Sequence, residues 1–155
     1  MPSTDSTFII VATSHAVHAG HKAILGPSNA NNQVFIGTRD GNFSSFYGGP
    51  STWSNVLANS PTAPISDNQP RILVSIQNSG ETSYVNGTQL TSEPTDLMSI
   101  PINDNLYLGL NSTALEQNWD GDVAEVIIFN RALKIKELNV IEKYLSQKYG
   151  IAIAD

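Results

Sequence analysis

The 155-residue sequence contains no cysteine and few charged side chains. The missing cysteine excludes a disulfide framework and any metal site built from thiolates. Only 14% of the residues are charged, and 8 basic against 14 acidic residues give a formal net charge of −6. A surface with so little positive charge does not attract a phosphate backbone, so we expect no nucleic acid partner.

Long apolar runs are missing as well. The N-terminal apolar stretch spans only residues 8–12, without a basic region before it, which predicts neither a signal peptide nor membrane insertion. The length is that of one domain, here residues 1–155, whether alone or as a piece of a larger protein. Abundant Ser, Thr, Asn and Gly on a weakly charged surface are typical of extracellular β-proteins. We therefore expect an extracellular, cell-surface or virion location.

Most of the chain consists of short apolar segments separated by turn residues, the pattern of a β-sandwich or barrel. The continuous run "TFIIVAT" predicts a strand that is buried on both faces. Asp40-Gly41 predicts a tight hairpin, and Asn86-Gly87 predicts a type I′ hairpin, because these residues adopt positive φ at low cost. The apolar run "VAEVIIF" predicts a strand at the centre of a sheet.

Two segments depart from this strand pattern. Residues 48–70 contain four prolines and are predicted to be an irregular loop without a central strand. Near the C-terminus, apolar residues recur every three or four positions, which predicts a helix with a core-facing stripe. That stripe consists of Leu138, Ile141, Leu145 and Tyr149. Gly150 stands where a glycine commonly ends a helix.

Several of these segments together resemble a known family. "TFIIVAT", "KAILG", "TSYVNGTQL", "LYLG" and above all "WDGDVAEVIIFNRAL" followed by "IEKYLSQKYGI" are similar to the laminin G-like, concanavalin A-like lectin/glucanase domains of bacterial and phage type. The resemblance implies an all-β antiparallel jelly-roll β-sandwich with one C-terminal α-helix. It also implies a fold that hosts sugar binding, protein adhesion and, in some branches, glycoside hydrolysis.

The chain departs from that family in two places. Only seven residues precede Phe8, where members usually carry more strand sequence, so we expect either a minimal sandwich or an edge supplied by a neighbouring domain or subunit. Lys134 stands where relatives tend to have a Ser or Thr that caps the helix, and only Glu137 of the capping box remains.

Catalysis is the first site hypothesis. Glucanases of this fold carry a Glu-x-Asp-x-x-Glu strand, which the spacing of Asp120, Asp122 and Glu125 imitates with a shorter first acid. A regular strand places Glu125 opposite to the two aspartates, so a bulge is required. Aromatic residues for a substrate cleft are sparse, at 8%. We therefore predict that the protein is not an enzyme.

A calcium site is the second hypothesis. Calcium binds six to eight oxygen atoms, and one loop with the adjoining strand entry supplies carboxylate and amide oxygens. The predicted ligands are Asn111, Glu116, Asp120 and Asp122, with Asn118 beside them. The alternative is that Asp120-Gly121 forms a turn and Asp122 is solvated.

Sugar recognition is the third hypothesis, and it is the function that we predict. Lectin sites combine an aromatic platform with amide and carboxylate groups, and the candidates are Trp53, Tyr47, Trp119 and Asn118. Trp119 has an alternative role as a side chain that fills the core. The expected partner is a glycan or surface polysaccharide. The alternative function is a structural or assembly module of a virion or adhesin with no small-molecule ligand.

The three histidines of the chain, His15, His18 and His21, lie within seven residues. Three imidazoles are a ligand set for zinc or nickel. Their spacing of three matches neither a strand face nor a tight loop, however, and Gly20 indicates a connecting segment. An exposed loop between strands is the alternative.

Overall fold

A computed structural model describes residues 5–27, 33–49, 52–57, 64–78, 81–90, 105–111 and 115–154, with the backbone alone for residues 27, 33, 46–49, 52–57 and 115. The strands are β1 (Ser6–Ser14), β2 (His21–Pro27), β3 (Gln33–Arg39), β4 (Asn42–Gly49), β5 (Thr52–Leu57), β6 (Arg71–Gln77), β7 (Glu81–Val85), β8 (Thr88–Gln89), β9 (Leu106–Leu108) and β10 (Gly121–Phe129). A 3₁₀ turn spans Leu115–Gln117, and the helix α1 spans Ile135–Tyr149. The all-β sandwich with one C-terminal helix is confirmed.

The strands form two antiparallel sheets of five strands each. The first sheet has the order β10-β1-β6-β7-β8 and the second β5-β4-β3-β2-β9. β1 pairs with both β10 and β6, and eight of its nine residues are buried. Its apolar run is therefore central and covered on both faces, as predicted. None of the helices in the described ranges has the length and apolar character needed to cross a membrane.

The two faces of β1 pack against different layers. Phe8 and Ile10 point between the sheets and contact a cluster that includes Ile36 of β3. Ile9 and Val11 point to the other side, where α1 covers the first sheet. The alternation of a strand thus distributes one apolar run between two hydrophobic clusters.

Hairpin turns join neighbouring strands where the sequence predicts them. Asp40 (φ 50°) and Gly41 (φ 80°) connect β3 with β4, and Asn86 (φ 49°) and Gly87 (φ 79°) connect β7 with β8. Two successive positive φ values define the type I′ turn, whose twist matches that of the flanking strands. Both hairpin predictions are confirmed.

The prediction of an irregular loop over residues 48–70 is wrong in part, because β5 lies within it. β5 pairs with β4, with Trp53 opposite Gly48, and it is the outermost strand of the second sheet among the described residues. All four prolines of the segment lie outside β5. Backbone pairing therefore proceeds between the prolines without losing a hydrogen bond.

The position predicted for "VAEVIIF" is also wrong. Within the described part of the chain, β10 is the last strand of its sheet, and Ile128 is 50% exposed. The register with β1 contains a bulge, since Val11 pairs with Glu125 and Ala12 with Val123. Ala124 is the extra residue. The apolar composition reflects packing under α1 and between the sheets rather than a central position.

The helix stripe is confirmed. Leu138 and Leu145 are buried, and Ile141 and Tyr149 pack against the same cluster. Gly150 ends α1 with φ 67°. At the other end, Glu137 accepts a hydrogen bond of 2.9 Å from the backbone N–H of Lys134, which is the remaining half of a capping box.

Arg131 completes that N-terminal arrangement. Its guanidinium donates two hydrogen bonds of 2.8 and 2.9 Å to the Glu137 carboxylate. These bonds lower the pKa of Glu137 to about 2, and the bond from Lys134 is the next largest cause. A fixed negative charge at the positive end of the helix dipole compensates for the missing Ser or Thr cap.

Candidate functional site

A cleft separates α1 from the β7–β8 hairpin. Its volume is about 690 Å³. Three elements line it: one face of the helix, the hairpin, and the segment after the helix. The lining residues are Tyr84, Gly87, Gln89, Ile135, Asn139, Glu142, Lys143, Ser146, Gln147, Ile153 and Ala154.

The turn of the β7–β8 hairpin is bonded to the helix, to the segment after the helix and to the sheet. Gly87 N–H donates a hydrogen bond of 3.0 Å to Glu142 Oε1 on the helix. The Asn86 carbonyl accepts from Ala154 N–H at 2.9 Å, and Asn86 Oδ1 accepts from Ile72 N–H at 2.8 Å. Because the turn is bonded to the sheet, the helix and the C-terminal segment, the walls of the cleft are fixed before any ligand arrives.

Glu142 lies at the floor of the cleft. It is only 2% exposed and occupies the helical position between Leu138 and Leu145, on the side that faces the sheet. Burial raises the pKa of its carboxyl, and the hydrogen bond from Gly87 opposes that rise. Burial also raises the pKa of Tyr84, and the nearby Glu142 charge raises it further.

The walls of the cleft combine amides with apolar side chains. Asn139 and Gln147 of the helix and Gln89 of β8 supply amides, and Ile135 and Ile153 supply apolar surface. The helix wall between residues 135 and 147 is about 18 Å long at 1.5 Å per residue. Such a cleft offers hydrogen-bond donors and acceptors along a surface longer than one small ring.

The predicted calcium aspartates are paired with histidines that we did not predict to meet them. His15 Nε2 lies 2.9 Å from Asp122 Oδ2, and His18 Nε2 lies 2.6 Å from Asp120 Oδ2. The backbone also joins the two segments, since His15 N–H donates to the Asp120 carbonyl at 3.0 Å. The loop between β1 and β2 is thereby fastened to the start of β10.

His21 lies apart from this pairing. Its ring meets the Phe35 ring edge-on, with centroids 5.3 Å apart, and burial, followed by the charge of Arg39, lowers its pKa. In the described ranges, no group of three or more His, Asp or Glu side chains is arranged to hold a metal ion. The three histidines therefore do not converge.

The other predicted calcium ligands have separate surroundings. Asn111 is buried, and its amide donates to Gln117 Oε1 at 2.7 Å. Glu116 is exposed, and its backbone carbonyl accepts from Lys22 Nζ at 2.6 Å. Calcium at Asn111, Glu116, Asp120 and Asp122 stays a prediction.

The predicted sugar-binding residues fall into two groups. Trp119 packs against the cluster between the sheets, and its indole nitrogen is buried without a hydrogen-bond partner in the described part of the chain. The alternative role of Trp119, filling the core, matches this position. Asn118 is exposed, and its backbone forms an isolated parallel β-bridge with Ala23.

Tyr47 and Trp53 form the second group, and they lie on the neighbouring strands β4 and β5. Tyr47 pairs with Ser54, and Trp53 pairs with Gly48. Their side chains lie outside the described part of the structure, so their role as a sugar platform stays a prediction.

Glu125 anchors the end of the helix. Its Oε2 accepts hydrogen bonds from Lys148 Nζ at 3.0 Å and from Tyr149 OH at 2.9 Å, and these two bonds lower the pKa of its carboxyl. The bulge at Ala124 is the one that the catalytic hypothesis requires, because it turns Glu125 to the same side of β10 as Asp122. The two carboxylates nevertheless bond to different groups.

Sequence reasoning missed the cleft. The signal that points to it is Glu142, an acid placed within an apolar helical stripe, four residues after Leu138 and three before Leu145. A charged residue at a core-facing position is rarely buried unless it has a partner, and here the partner is the backbone of a turn 55 residues earlier.

Similar folds occur in several solved structures. Domain 4 of an extracellular arabinanase from Geobacillus stearothermophilus matches with a TM-score of 0.70 and 18% identity, covering 92% of this chain and 68% of that one. Trypanosoma rangeli sialidase matches with 0.68 and 19% over 97% of this chain and 24% of its own. The receptor binding domain of a botulinum neurotoxin C/D mosaic serotype matches with 0.67 and 16% over 90% and 36%. At such identities these matches show the fold alone.

Sequence comparison gives the family. A search of curated protein sequences returned no significant match. A family model described as the concanavalin A-like lectin/glucanases superfamily matches residues 5–139, which is most of the chain and includes both sheets. The chain belongs to the concanavalin A-like lectin/glucanases superfamily, in its laminin G-like branch.

Proposed function

We propose that this protein is a non-catalytic carbohydrate-recognition domain that acts outside the cell or on the surface of a cell or particle. The observation that carries the proposal is the cleft between α1 and the β7–β8 hairpin. It is preformed, it is lined by amide and carboxylate groups against apolar walls, and it is long enough for an oligosaccharide.

The cleft has the chemistry that sugars require. Asn139, Gln147 and Gln89 each offer both a donor and an acceptor to ligand hydroxyls. Ile135 and Ile153 offer apolar contact to the C–H faces of a sugar ring. A small number of placed polar groups on an apolar wall is the usual composition of a small-ligand site.

The comparisons support a glycan partner. The matching arabinanase domain was solved in complex with arabinotriose, and it belongs to an extracellular enzyme without being named as its catalytic part. The chain spans about a quarter of the matching sialidase and about a third of the toxin domain. A recognition domain joined to further domains or subunits fits these proportions.

We keep the sequence-derived residues as two further candidate surfaces. Trp53 or Tyr47 is the aromatic platform of the first, on β5 and β4 at the edge of the second sheet. Asp120 and Asp122 are the calcium ligands of the second, at the start of β10, with Asn118 as a polar contact. Calcium at this position requires His15 and His18 to release the carboxylates. Binding that depends on calcium therefore identifies the β10 surface, whereas the substitutions below assign calcium-independent binding to the cleft or to the β4–β5 surface.

The experiment is a glycan array that is run with calcium and with EDTA. We expect the unaltered protein to bind a defined set of glycans in both conditions. The double substitution Asn139→Ala and Gln147→Ala should weaken binding at least tenfold. The matched control, Asn105→Ala with Gln69→Ala, removes one exposed amide of each kind outside the cleft and should leave binding unchanged.

Other outcomes are informative as well. Loss of binding in EDTA transfers the site to the β10 surface, and loss of binding on Trp53→Ala transfers it to the β4–β5 surface. Equal binding by the cleft variant and its control also removes the site from the cleft. If the protein binds no glycan in either condition, the proposed function is contradicted and the alternative, an assembly module of a virion or adhesin, is favoured.

A further inference from the structure

We propose that the cleft accepts sugars that carry no carboxylate, sulfate or phosphate group, and that Glu142 is the residue that sets this specificity. The inference rests on the proposed function of the same cleft. It adds the class of sugar that the cleft of this chain accepts and the residue that decides it.

The charge of Glu142 is held in place. One carboxylate oxygen accepts the Gly87 N–H, and the side chain is 2% exposed at the floor of the cleft. The ion pairs between described residues do not include Glu142. Burying an acid without a cationic partner is costly, so a leucine at this stripe position would serve the core better.

The surroundings of Glu142 add to its negative potential. The whole chain has a net charge of −6. An anionic group on a ligand that enters this floor meets a like charge in a place where water screens it poorly.

Lys143 is the one cationic residue that lines the cleft in the described part of the chain. It is exposed at the rim, so solvent and salt screen its charge. Glu142 is buried and is screened much less. The fixed charge at the floor therefore outweighs the mobile charge at the rim, and hydroxyl groups that donate to the carboxylate are favoured over anions.

The test compares sugars that differ in one substituent. Titration calorimetry measures the binding of the full chain to trisaccharides built from hexose, hexosamine or hexuronic acid units. The compounds share the same linkages, which are chosen from the glycans that the protein binds on the array. We expect the hexuronic acid compound to bind at least tenfold more weakly than the hexose compound. This comparison uses the unaltered protein, so it does not depend on how a variant folds.

The substitution Glu142→Gln then tests the residue itself. Glutamine keeps an oxygen for the Gly87 N–H and removes the charge, so the ratio between hexose and hexuronic acid binding should fall below threefold. The control Asp40→Asn removes one exposed carboxylate outside the cleft, keeps an oxygen for the Gly20 N–H, and should keep the tenfold ratio. Urea unfolding shows whether both variants are folded.

The outcomes separate the inference from the function on which it rests. If the protein binds no glycan on the array, the proposed function and the inference are overturned together. Binding of acidic sugars as tightly as neutral ones, with loss of binding in the Asn139→Ala and Gln147→Ala variant, overturns the inference alone. A tenfold ratio that survives Glu142→Gln overturns the role of Glu142.

Discussion

Glu81 makes the stability of this protein depend on pH. The side chain is 5% exposed and lies at the start of β7, where Oε1 accepts hydrogen bonds from Ser75 Oγ at 2.9 Å and from Ser45 Oγ. Its other oxygen is buried without a partner among the described residues. Burial raises the pKa of Glu81 to about 7, and the bonds from Ser45 and Ser75 oppose that rise.

The size and sign of the effect follow from that pKa. An increase from 4.5 to about 7 corresponds to about 3 kcal/mol at 1.36 kcal/mol for each pH unit. Because the folded state holds the proton more tightly than the unfolded state, the charged form is the costly one. The free energy of unfolding should therefore be unaffected by this group below pH 4.5, fall between pH 4.5 and 7, and stay about 3 kcal/mol lower above that range.

The substitution Glu81→Gln isolates this contribution. Glutamine keeps an acceptor for the serine hydroxyls and cannot ionise, so the variant should lack the decline. Urea unfolding followed by tryptophan fluorescence at several pH values from 4.5 to 8.5 gives the free energy for both proteins. At pH 8.5 the difference should favour the variant by about 3 kcal/mol relative to the difference at pH 4.5, and each kcal/mol should shift Tm by roughly 2–4 °C.

The control is Glu116→Gln, which neutralises an exposed glutamate and should keep the decline of the unaltered protein. The reasoning is refuted if the curves of the unaltered protein and of Glu81→Gln run parallel across this range. A parallel result would mean that the Glu81 carboxyl has the same proton affinity in the folded and unfolded states.

Three further predictions concern the helix, the hairpin and the histidine pairs. Leu138→Ala should lower the free energy of unfolding by roughly 2–5 kcal/mol because it empties a fully buried site. Val140 is 69% exposed on the same helix, so Val140→Ala should change the free energy of unfolding little. Equal losses in the two variants would contradict the assigned core. Gly87→Ala should cost about 1–2 kcal/mol, since its φ of 79° strains an L-residue, and unchanged urea unfolding would contradict the type I′ turn. A double-mutant cycle of His18→Ala and Asp120→Asn should give a coupling of about 0.2–1 kcal/mol that shrinks in 1 M NaCl; zero coupling at low salt would disprove the pairing.

Features that depend on neighbouring residues were predictable from the sequence. The Asn86-Gly87 turn follows from backbone sterics at two positions, and the stripe through Leu138 and Leu145 follows from the period of one helix. The burial of β1 on both faces follows from its unbroken apolar run. Each of these signals is contained within one segment, and the structure confirms them all.

Features that depend on strand order were not predictable in this way. An apolar strand in contact with α1 on one face and the sandwich core on the other has the same composition whether it is central or terminal, which is why the position of β10 was wrong. The meeting of His15 with Asp122 joins residues 107 positions apart. The sequence shows two separate clusters, and only the pairing of β1 with β10 brings them together.

Buried acids were missed for a related reason. Glu81 and Glu142 are residues of a type that is usually solvated, so pattern reasoning assigns them to the surface. Their partners are serine hydroxyls of other strands and the backbone of a turn, which carry no charge that a sequence could reveal. Ser75 within the apolar run of β6 and Glu142 within the helix stripe are the irregularities that mark these sites.

The acidic motif before and within β10 connects these observations. Its spacing imitates a catalytic strand, and the bulge at Ala124 even turns Asp122 and Glu125 to one side. Each carboxylate, however, has a structural partner: Asp122 holds His15 of the loop between β1 and β2, and Glu125 holds the last turn of α1 through Lys148 and Tyr149. The face of that same helix forms one wall of the cleft, so the contribution of Glu125 to recognition is to fix the position of the wall. Releasing the end of the helix would change the width of the cleft, whereas no chemistry at Glu125 is needed for the proposed binding.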